Sequence, residues 1–427
     1  MKEDFSEGAA CAYGTLSDLY TQGVVCLDNH NKTYIVEIKG YGSAGEGVAR
    51  LGNGRVVFVR GAARGDICEI KITDESRRSV RAEIMKIIEP SPHRVKPDCP
   101  AYPTCGGCDF RHIAYDEELW AKITRVNDAL GRIGNTGARI DEIITAGQID
   151  KYRNKAVFHT AEQGDRKIIG FYRAGTHEVC PVNSCLLLPD EFNEALRELW
   201  ETPPLDKTVT LRSGTSSNHL PHDSKAKFLA AHPASESPQS QAVPVFAELD
   251  GLIFRISGKS FFQVNYGAAL LLYQKAREYA ALSGSATLVD LYCGVWSMTL
   301  FIGRDAKYAL GVENNEEAVN DALDNARANS ISNAEFLLAD ASDWDSGSIR
   351  PDCVIVDPPR KGLSAGALRK ILKLSPASIV YVSCDPATMA RDIGLLNGYM
   401  PHRLCAVDMF PRTANVECCM LLRKTID

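Results

Sequence analysis

The sequence predicts an α/β fold, with a Rossmann-like domain at the C-terminal end, an OB-like β-barrel near the start and a mostly β central domain between them. Three observations carry this. From Phe261 onward, amphipathic stretches alternate with short continuous apolar runs, the pattern of a parallel sheet covered on both faces. Between 33 and 89, short β-branched runs are broken by frequent glycines, as in a small barrel. Between 150 and 260 the text is β-like with low periodicity. The chain has 427 residues, too many for one ordinary domain. Four segments are expected: an N-terminal extension at 1–31, the barrel at 32–90, the central domain with a cysteine-rich segment at 91–260, and the Rossmann-like domain at 261–427.

In order along the chain, the barrel strands are expected at 34–38, 56–59 and 67–70, with Gly40, Gly42, Gly45, Gly47, Gly52, Gly54, Gly61 and Gly65 between them. Pro90-Ser91-Pro92 closes this module. A helix is expected at 116–133, ended by Gly134-Asn135. The stretch 213–241 is polar and rich in Ser, Pro and His, the composition of a loop. Then come an amphipathic helix at 266–282, strands at 286–291 and 309–313, a helix at 316–330, and strands at 336–338, 353–356 and 379–382. The tail, 402–423, reads as two further strands around Phe410-Pro411-Arg412-Thr413, and there are no internal repeats.

Charge and cysteine content narrow the setting. The net charge is −6, yet residues 32–96 hold 13 Lys+Arg against 8 Asp+Glu, a local excess of +5. Such a basic module suits a phosphate contact, and charge alone fits a solvated surface equally well. No apolar run is long enough to span a bilayer, and residues 1–10 are acidic with no apolar h-region, so no membrane partner and a cytoplasmic location are expected. Fourteen cysteines in that compartment point to metal binding, catalysis or core packing rather than disulfides.

In an open parallel sheet, ligands collect at the carboxyl ends of the strands. Asp290-Leu291-Tyr292-Cys293-Gly294 ends the first strand and opens a turn. Glu313 ends the second, where a carboxylate accepts hydrogen bonds from two ribose hydroxyls, and Asp340, after the third, suits an adenine amino group. The turn lacks the G-x-G-x-x-G phosphate fingerprint, so a dinucleotide is not expected. S-adenosylmethionine has no pyrophosphate and needs only a short glycine turn.

Four segments then carry a resemblance: Ser260-Phe261-Phe262-Gln263-Val264-Asn265, Asp357-Pro358-Pro359-Arg360-Lys361-Gly362, Ser383-Cys384-Asp385-Pro386, and 408–417, which ends on Asn415-Val416-Glu417. Together they resemble the RNA 5-methyluridine (uracil-5) methyltransferases, over nearly the whole chain after Thr33. The module at 33–89 looks like that family's TRAM domain, an RNA-binding barrel. The resemblance implies S-adenosylmethionine as cofactor and RNA as partner. Cys384 would be the nucleophile that adds to uracil carbon 6, and Glu417 the base that removes the carbon 5 proton. It also implies cofactor-side roles for Gln263, Tyr292, Glu313 and Asp357, beside Gly294 and Asp340 read from the strand ends, and a target base turned out of its stack could lie on Phe261 or Phe262. Two positions depart from the family: Trp296 stands where a second glycine is usual, and Asn415 where a histidine precedes Val-Glu. The Trp296 ring either crowds the cofactor or turns into the helix layer. The second is expected, because the other cofactor positions are intact.

Cys99, Cys105 and Cys108 follow the spacing C-x5-C-x2-C, and a metal site needs a fourth ligand from elsewhere. Spacing alone leaves zinc and iron–sulfur equally open. The resemblance implies a [4Fe-4S] cluster, with Cys185 as the fourth ligand and Cys180 in reserve. The expected substrate is 23S ribosomal RNA, because the transfer-RNA branch commonly lacks both the barrel and the cysteines. Transfer RNA, or RNA binding with weakened catalysis, are the alternatives, and a monomer is expected.

Overall fold

A computed structural model describes residues 24–28, 33–76, 79–204, 207–215, 244–257 and 260–425. Most of the expected extension at 1–31, and most of the polar stretch at 213–241, lie outside the described residues. The chain divides into two units, one of Met1–Lys96 with Asp109–Glu117, the other of Pro97–Cys108 with Glu118–Asp427.

Alternation of buried and open residues, complete in the strands at 47–50 and 56–59 and at the starts of those at 67–75 and 80–89, builds the first unit. Its strands are β1 (Val24–Asp28), β2 (Thr33–Glu37), β3 (Gly40–Tyr41), β4 (Gly47–Arg50), β5 (Val56–Val59), β6 (Ile67–Glu75) and β7 (Val80–Glu89). They form one seven-stranded sheet in the order β1-β2-β6-β7-β5-β4-β3. All pairs are antiparallel except β5 with β7. Val36, Ile38, Val57, Val59, Cys68, Ile70 and Val80 fill the interior. Gly47 has to be glycine: a Cβ there would stand 2.8 Å from Ala62 Cβ. Asp66 is fully buried and takes both Arg94 Nη2 (2.6 Å) and the Ser91 N–H (2.8 Å), so no charge is left unpaired. Strand β1 shows that the barrel starts before residue 32, inside the segment expected as an extension.

The second unit contains, in order, α1 (Tyr115–Arg132, from Glu118 on), β8 (Glu142–Ile144), β9 (Lys155–Gln163), β10 (Arg166–Tyr172), β11 (Val179–Pro181), α2 (Asp190–Glu201), β12 (Thr208–Arg212), β13 (Val245–Leu249) and β14 (Leu252–Ile256). After these come α3 (Tyr266–Ala280), β15 (Thr287–Leu291), α4 (Ser297–Gly303), β16 (Tyr308–Glu313), α5 (Glu316–Ala328), β17 (Ala334–Leu338), β18 (Cys353–Val356), α6 (Ala365–Leu374), β19 (Ser378–Ser383), α7 (Pro386–Ile393), β20 (Tyr399–Val407) and β21 (Glu417–Lys424). A four-stranded antiparallel sheet, β11-β10-β9-β12, packs Phe158, Ile169 and Val209 against Phe192 and Leu196 of α2. The main sheet has eight strands in the order β17-β16-β15-β18-β19-β21-β20-β8. The first five run parallel and β21 runs against them. Strands β15, β18 and β19 are buried on both faces, which is why they read as unbroken apolar runs.

Packing does not follow the division at residue 260. Strand β8 adds to the edge of the main sheet beside β20, Val126 and Leu130 of α1 join one of its cores, and the β13–β14 hairpin joins the other. Helix starts are fixed by local chemistry: Asn265, Asn315, Ser364 and Asp385 each accept a first-turn N–H. Among the described residues, no helix is long and apolar enough to cross a membrane.

Candidate active site

The strand order places a crevice where the chain turns outward in opposite directions from β15 and β18. The turn after β15 is tightly wound. Tyr292, Gly294 and Trp296 all have left-handed backbone, with φ of 71°, 55° and 72°. Glu313, at the end of β16, holds this turn. One carboxylate oxygen accepts the Gly294 N–H (2.9 Å), and the other accepts those of Asn314 and Asn315 (both 2.9 Å). A Cβ on Gly294 would meet nothing, so the space beside the turn is open. Below it, Asp290 is buried and takes a short hydrogen bond from Thr299 Oγ1. Burial raises its carboxyl well above the usual range, and Asp357 and Glu313 raise it further. Tyr292 is half-buried beside the turn. Asp340 is exposed past β17 and accepts from Ser342 Oγ (2.5 Å) and N–H (2.8 Å), which hold its carboxyl below the usual range.

Trp296 is 1% exposed. Its ring meets Phe336 edge-on at 4.0 Å, and its indole nitrogen faces Gly311, where a Cβ would stand 2.7 Å away. The ring lies in the core between sheet and helices, away from the open side of the turn, as expected. The arrangement is not free of cost. A bulky residue in left-handed backbone is strained, and the indole N–H finds no hydrogen-bond partner among the described residues.

Antiparallel β21 assembles the second half of the site. Ser383, the last residue of β19, pairs with Cys418, so Cys384 and Glu417 are brought side by side where the two strands run in opposite directions. Asp385 caps α7 through the Ala387 and Thr388 N–H groups (both 2.9 Å), fixing the turn that carries Cys384. Burial pushes the half-buried Cys384 thiol up to about 11, helped by the charges of Glu417 and Asp357 and opposed by Arg360. Burial and then Asp357 raise the Glu417 carboxyl well above its usual value, again opposed by Arg360. Burial raises Asp357 to about 6. Arg360 thus serves two of the site's acids as a cation. It donates to Asn415 Oδ1 at 3.4 Å, giving the family-divergent Asn415 a defined partner. In the sequence Arg360 is one residue of the 357–362 segment, with no role marked by type or spacing alone. The signal is its place, a guanidinium three residues after an acid that the fold buries.

Gln263 is buried in the stretch before α3, pinned where Asn154 Nδ2 donates to its carbonyl (2.9 Å) and Asn265 Nδ2 donates to Met409 O (3.2 Å). Of the two phenylalanines, Phe262 belongs to the core with Phe254 and Tyr266, while Phe261 is 68% exposed.

Cys99, Cys180 and Cys185 lie near Cys105, beside the four-stranded sheet. Cys105 bridges Arg173, and the Gly106 N–H donates to Tyr172 O at 2.9 Å. Burial raises the Cys105 thiol to about 11. The Gly107 N–H opposes this, and Cys180, Cys185 and Cys99 add to it. Asn193 pins Cys185 by accepting its N–H (2.7 Å) and donating to its carbonyl (3.1 Å). Cys180 is buried on β11, and Cys108 bears on the Tyr152 hydroxyl. None of these five is in a disulfide. Among the described residues, no three such side chains close around a point as ligands of a single ion.

Comparison with known proteins matches this architecture. Residues 247–425 match the tRNA (uracil-5-)-methyltransferase family, and residues 28–85 match the TRAM domain. An uncharacterized RNA methyltransferase of Clostridium tetani is 31% identical over 92% of this chain and 96% of its own. One from Bacillus cereus is 32% identical over 89% and 94%. The crystal structure of a Pyrococcus abyssi tRNA (uracil-54, C5)-methyltransferase, in complex with S-adenosyl-L-homocysteine, covers 91% of this chain and 100% of its own, with a TM-score of 0.70 and 24% identity, which is a likeness of fold. The chain therefore belongs to the RNA methyltransferases, with a tRNA (uracil-5-)-methyltransferase domain behind a TRAM domain.

Proposed function

We propose that this chain methylates carbon 5 of a uridine in RNA, with 23S ribosomal RNA as substrate, through a covalent bond between Cys384 and uracil carbon 6. The observation that carries the reading is the pairing of β19 with β21, which sets Cys384 against Glu417 beside Asp357 and Arg360. S-adenosylmethionine, when bound, supplies a methyl group on a sulfonium. The site fits it, with open space beside Gly294 and the Glu313 carboxylate at its edge. Tyr292, Gly294, Glu313, Asp340, Gln263 and Asp357 would hold it.

The chemistry follows from the site's charges. Carbon 5 of uracil is a weak nucleophile. Addition of the Cys384 sulfur to carbon 6 makes it enolate-like. The thiol, near 11, is protonated at neutral pH, and Asp357, near 6, is ionised and able to receive its proton. Arg360 steadies the negative charge as it passes from sulfur to the ring. Once Asp357 has taken the thiol's proton it carries no charge, so its repulsion on Glu417 falls and the ionised carboxylate is favoured. Glu417 then takes the carbon 5 proton. That electron pair re-forms the C5–C6 double bond, and the C6–S bond breaks to return the thiolate. Phe261, open to solvent, would stack on the base as it leaves its helix.

A [4Fe-4S] cluster on Cys99, Cys105, Cys108 and Cys185 is supported by Cys99 and Cys185 lying near Cys105 and by Cys108 following it in the same short segment, and a cluster is wider than one ion. It would be structural, because methyl transfer needs no electron. Work on RNA is expected in the cytoplasm by a monomer. The test is methylation of unmodified 23S ribosomal RNA and transfer RNA by wild-type and Cys384→Ala protein. Methylation surviving in the variant overturns the nucleophile, and methylation of transfer RNA alone overturns the substrate.

A further inference from the structure

The link 408–416 between β20 and β21 ends directly on Glu417, and one face of α1 grips it along its length. Glu118, Lys122 and Arg125 lie at i, i+4 and i+7, on the same side of the helix. Lys122 Nζ donates to Asp408 Oδ1 (2.6 Å) and to Phe410 O (3.2 Å). Glu118 Oε1 accepts from Lys122 (2.7 Å) and from the Arg412 N–H (2.8 Å). Arg125 Nη1 donates to Ala414 O (2.8 Å). Alternate residues 408, 410, 412 and 414 are thus each tied to the helix. Tyr152 and Asn265 take the carbonyls of Pro411 (3.0 Å) and Met409 (3.2 Å) between them.

The side chains of Glu118, Lys122 and Asp408 are fully buried. Stability alone does not explain such a cluster, because apolar residues of similar volume commonly stabilise as well or better. What fixed, charge-assisted bonds add is geometric definition. Cys384 is positioned separately, by β19 and the Asp385 cap. Only Glu417 is continuous with the gripped link.

We propose that Lys122, with Arg125, is a positioning residue for Glu417, holding the link so that the carboxylate meets the uracil carbon 5 proton. This rests on Glu417 being the base that ends the reaction. Loosening the link should slow elimination, in which the proton passes to Glu417 and the C6–S bond breaks, and should spare the earlier methyl transfer. The experiment uses full-length protein, total RNA from cells lacking the gene, and methyl-labelled S-adenosylmethionine in single turnover. It follows label on RNA and, separately, the loss of denaturant-stable protein–RNA adduct. For Lys122→Met, adduct loss is expected to slow about tenfold or more, with label incorporation within about twofold of wild type. Arg125→Met, which uncovers no buried charge, is expected to show the same split more mildly, and it decides the matter if Lys122→Met does not fold. Both rates falling together, or neither changing, overturns the proposal. Glu417→Gln in the same assay separates the two ideas: if it accumulates no adduct, the base assignment fails, and if it does while the α1 variants show no split, only the positioning role fails.

Discussion

At the scale of the residue, the site joins one weakly acidic thiol to two carboxylates and one guanidinium, and its pH behaviour follows. Cys384, near 11, is a thiol and Asp357, near 6, is ionised from pH 7 to 9, so adduct formation through Asp357 should change little over that range and fall as pH drops below 6. Arg360 lowers that thiol, so Arg360→Met should raise it further and slow adduct formation by a similar factor at pH 7 and pH 9. A pH profile of single-turnover methylation checks both, and a rate climbing about tenfold per pH unit from 7 to 9 would show attack by free thiolate without Asp357. Trp296 poses a different question. Removing its buried ring in Trp296→Gly opens a cavity worth about 3 to 5 kcal/mol. Glycine relieves about 1 to 2 kcal/mol of left-handed strain. A net loss of about 1 to 4 kcal/mol should appear in melting curves, with cofactor affinity unchanged or weaker. Tighter binding in the glycine variant would show that the ring crowds the site after all. Cys384 was legible in the sequence, since a cysteine after an apolar strand and before Asp-Pro is an unusual place for core packing. Glu417 was legible only through the family resemblance: alone, it is an acid at a strand start.

At the scale of the element, legibility followed locality. The helix starting at 316 and the strands at 353–356 and 379–382 were read from sequence because caps and double-sided burial leave local marks. Strand β7 was not expected, nor was the joining of α1 and β8 to the C-terminal sheet. Those pairings are long-range: β8 meets β20, and Lys122 meets Asp408. No local pattern announces them. The turn carrying Cys384 is an element with its own test. Asp385→Ala removes the acceptor for two first-turn N–H groups of α7 and should cost about 1 kcal/mol. Because the cap also sets the thiol's position, single-turnover rate should fall by more than the change in stability accounts for. A rate that merely tracks the folded fraction would assign Asp385 to stability alone.

At the scale of the molecule, a TRAM domain, a cysteine-bearing sheet and a methyltransferase domain lie in one chain, and the proposed assignments make separate demands of them. Anaerobically purified protein should be brown, and Cys105→Ser should bleach it. Colourless protein with stoichiometric zinc would replace the cluster and leave the thiol set standing. The central claim is covalent uracil methylation with Cys384 as nucleophile and Glu417 as base. Its most direct measurement is incubation of Glu417→Gln protein with methyl-labelled S-adenosylmethionine and unmodified 23S ribosomal RNA, resolved on a denaturing gel. The account predicts a labelled protein–RNA band that disappears when Cys384→Ala is added to the same protein. Full turnover without such a band, or a band that survives loss of Cys384, would contradict it.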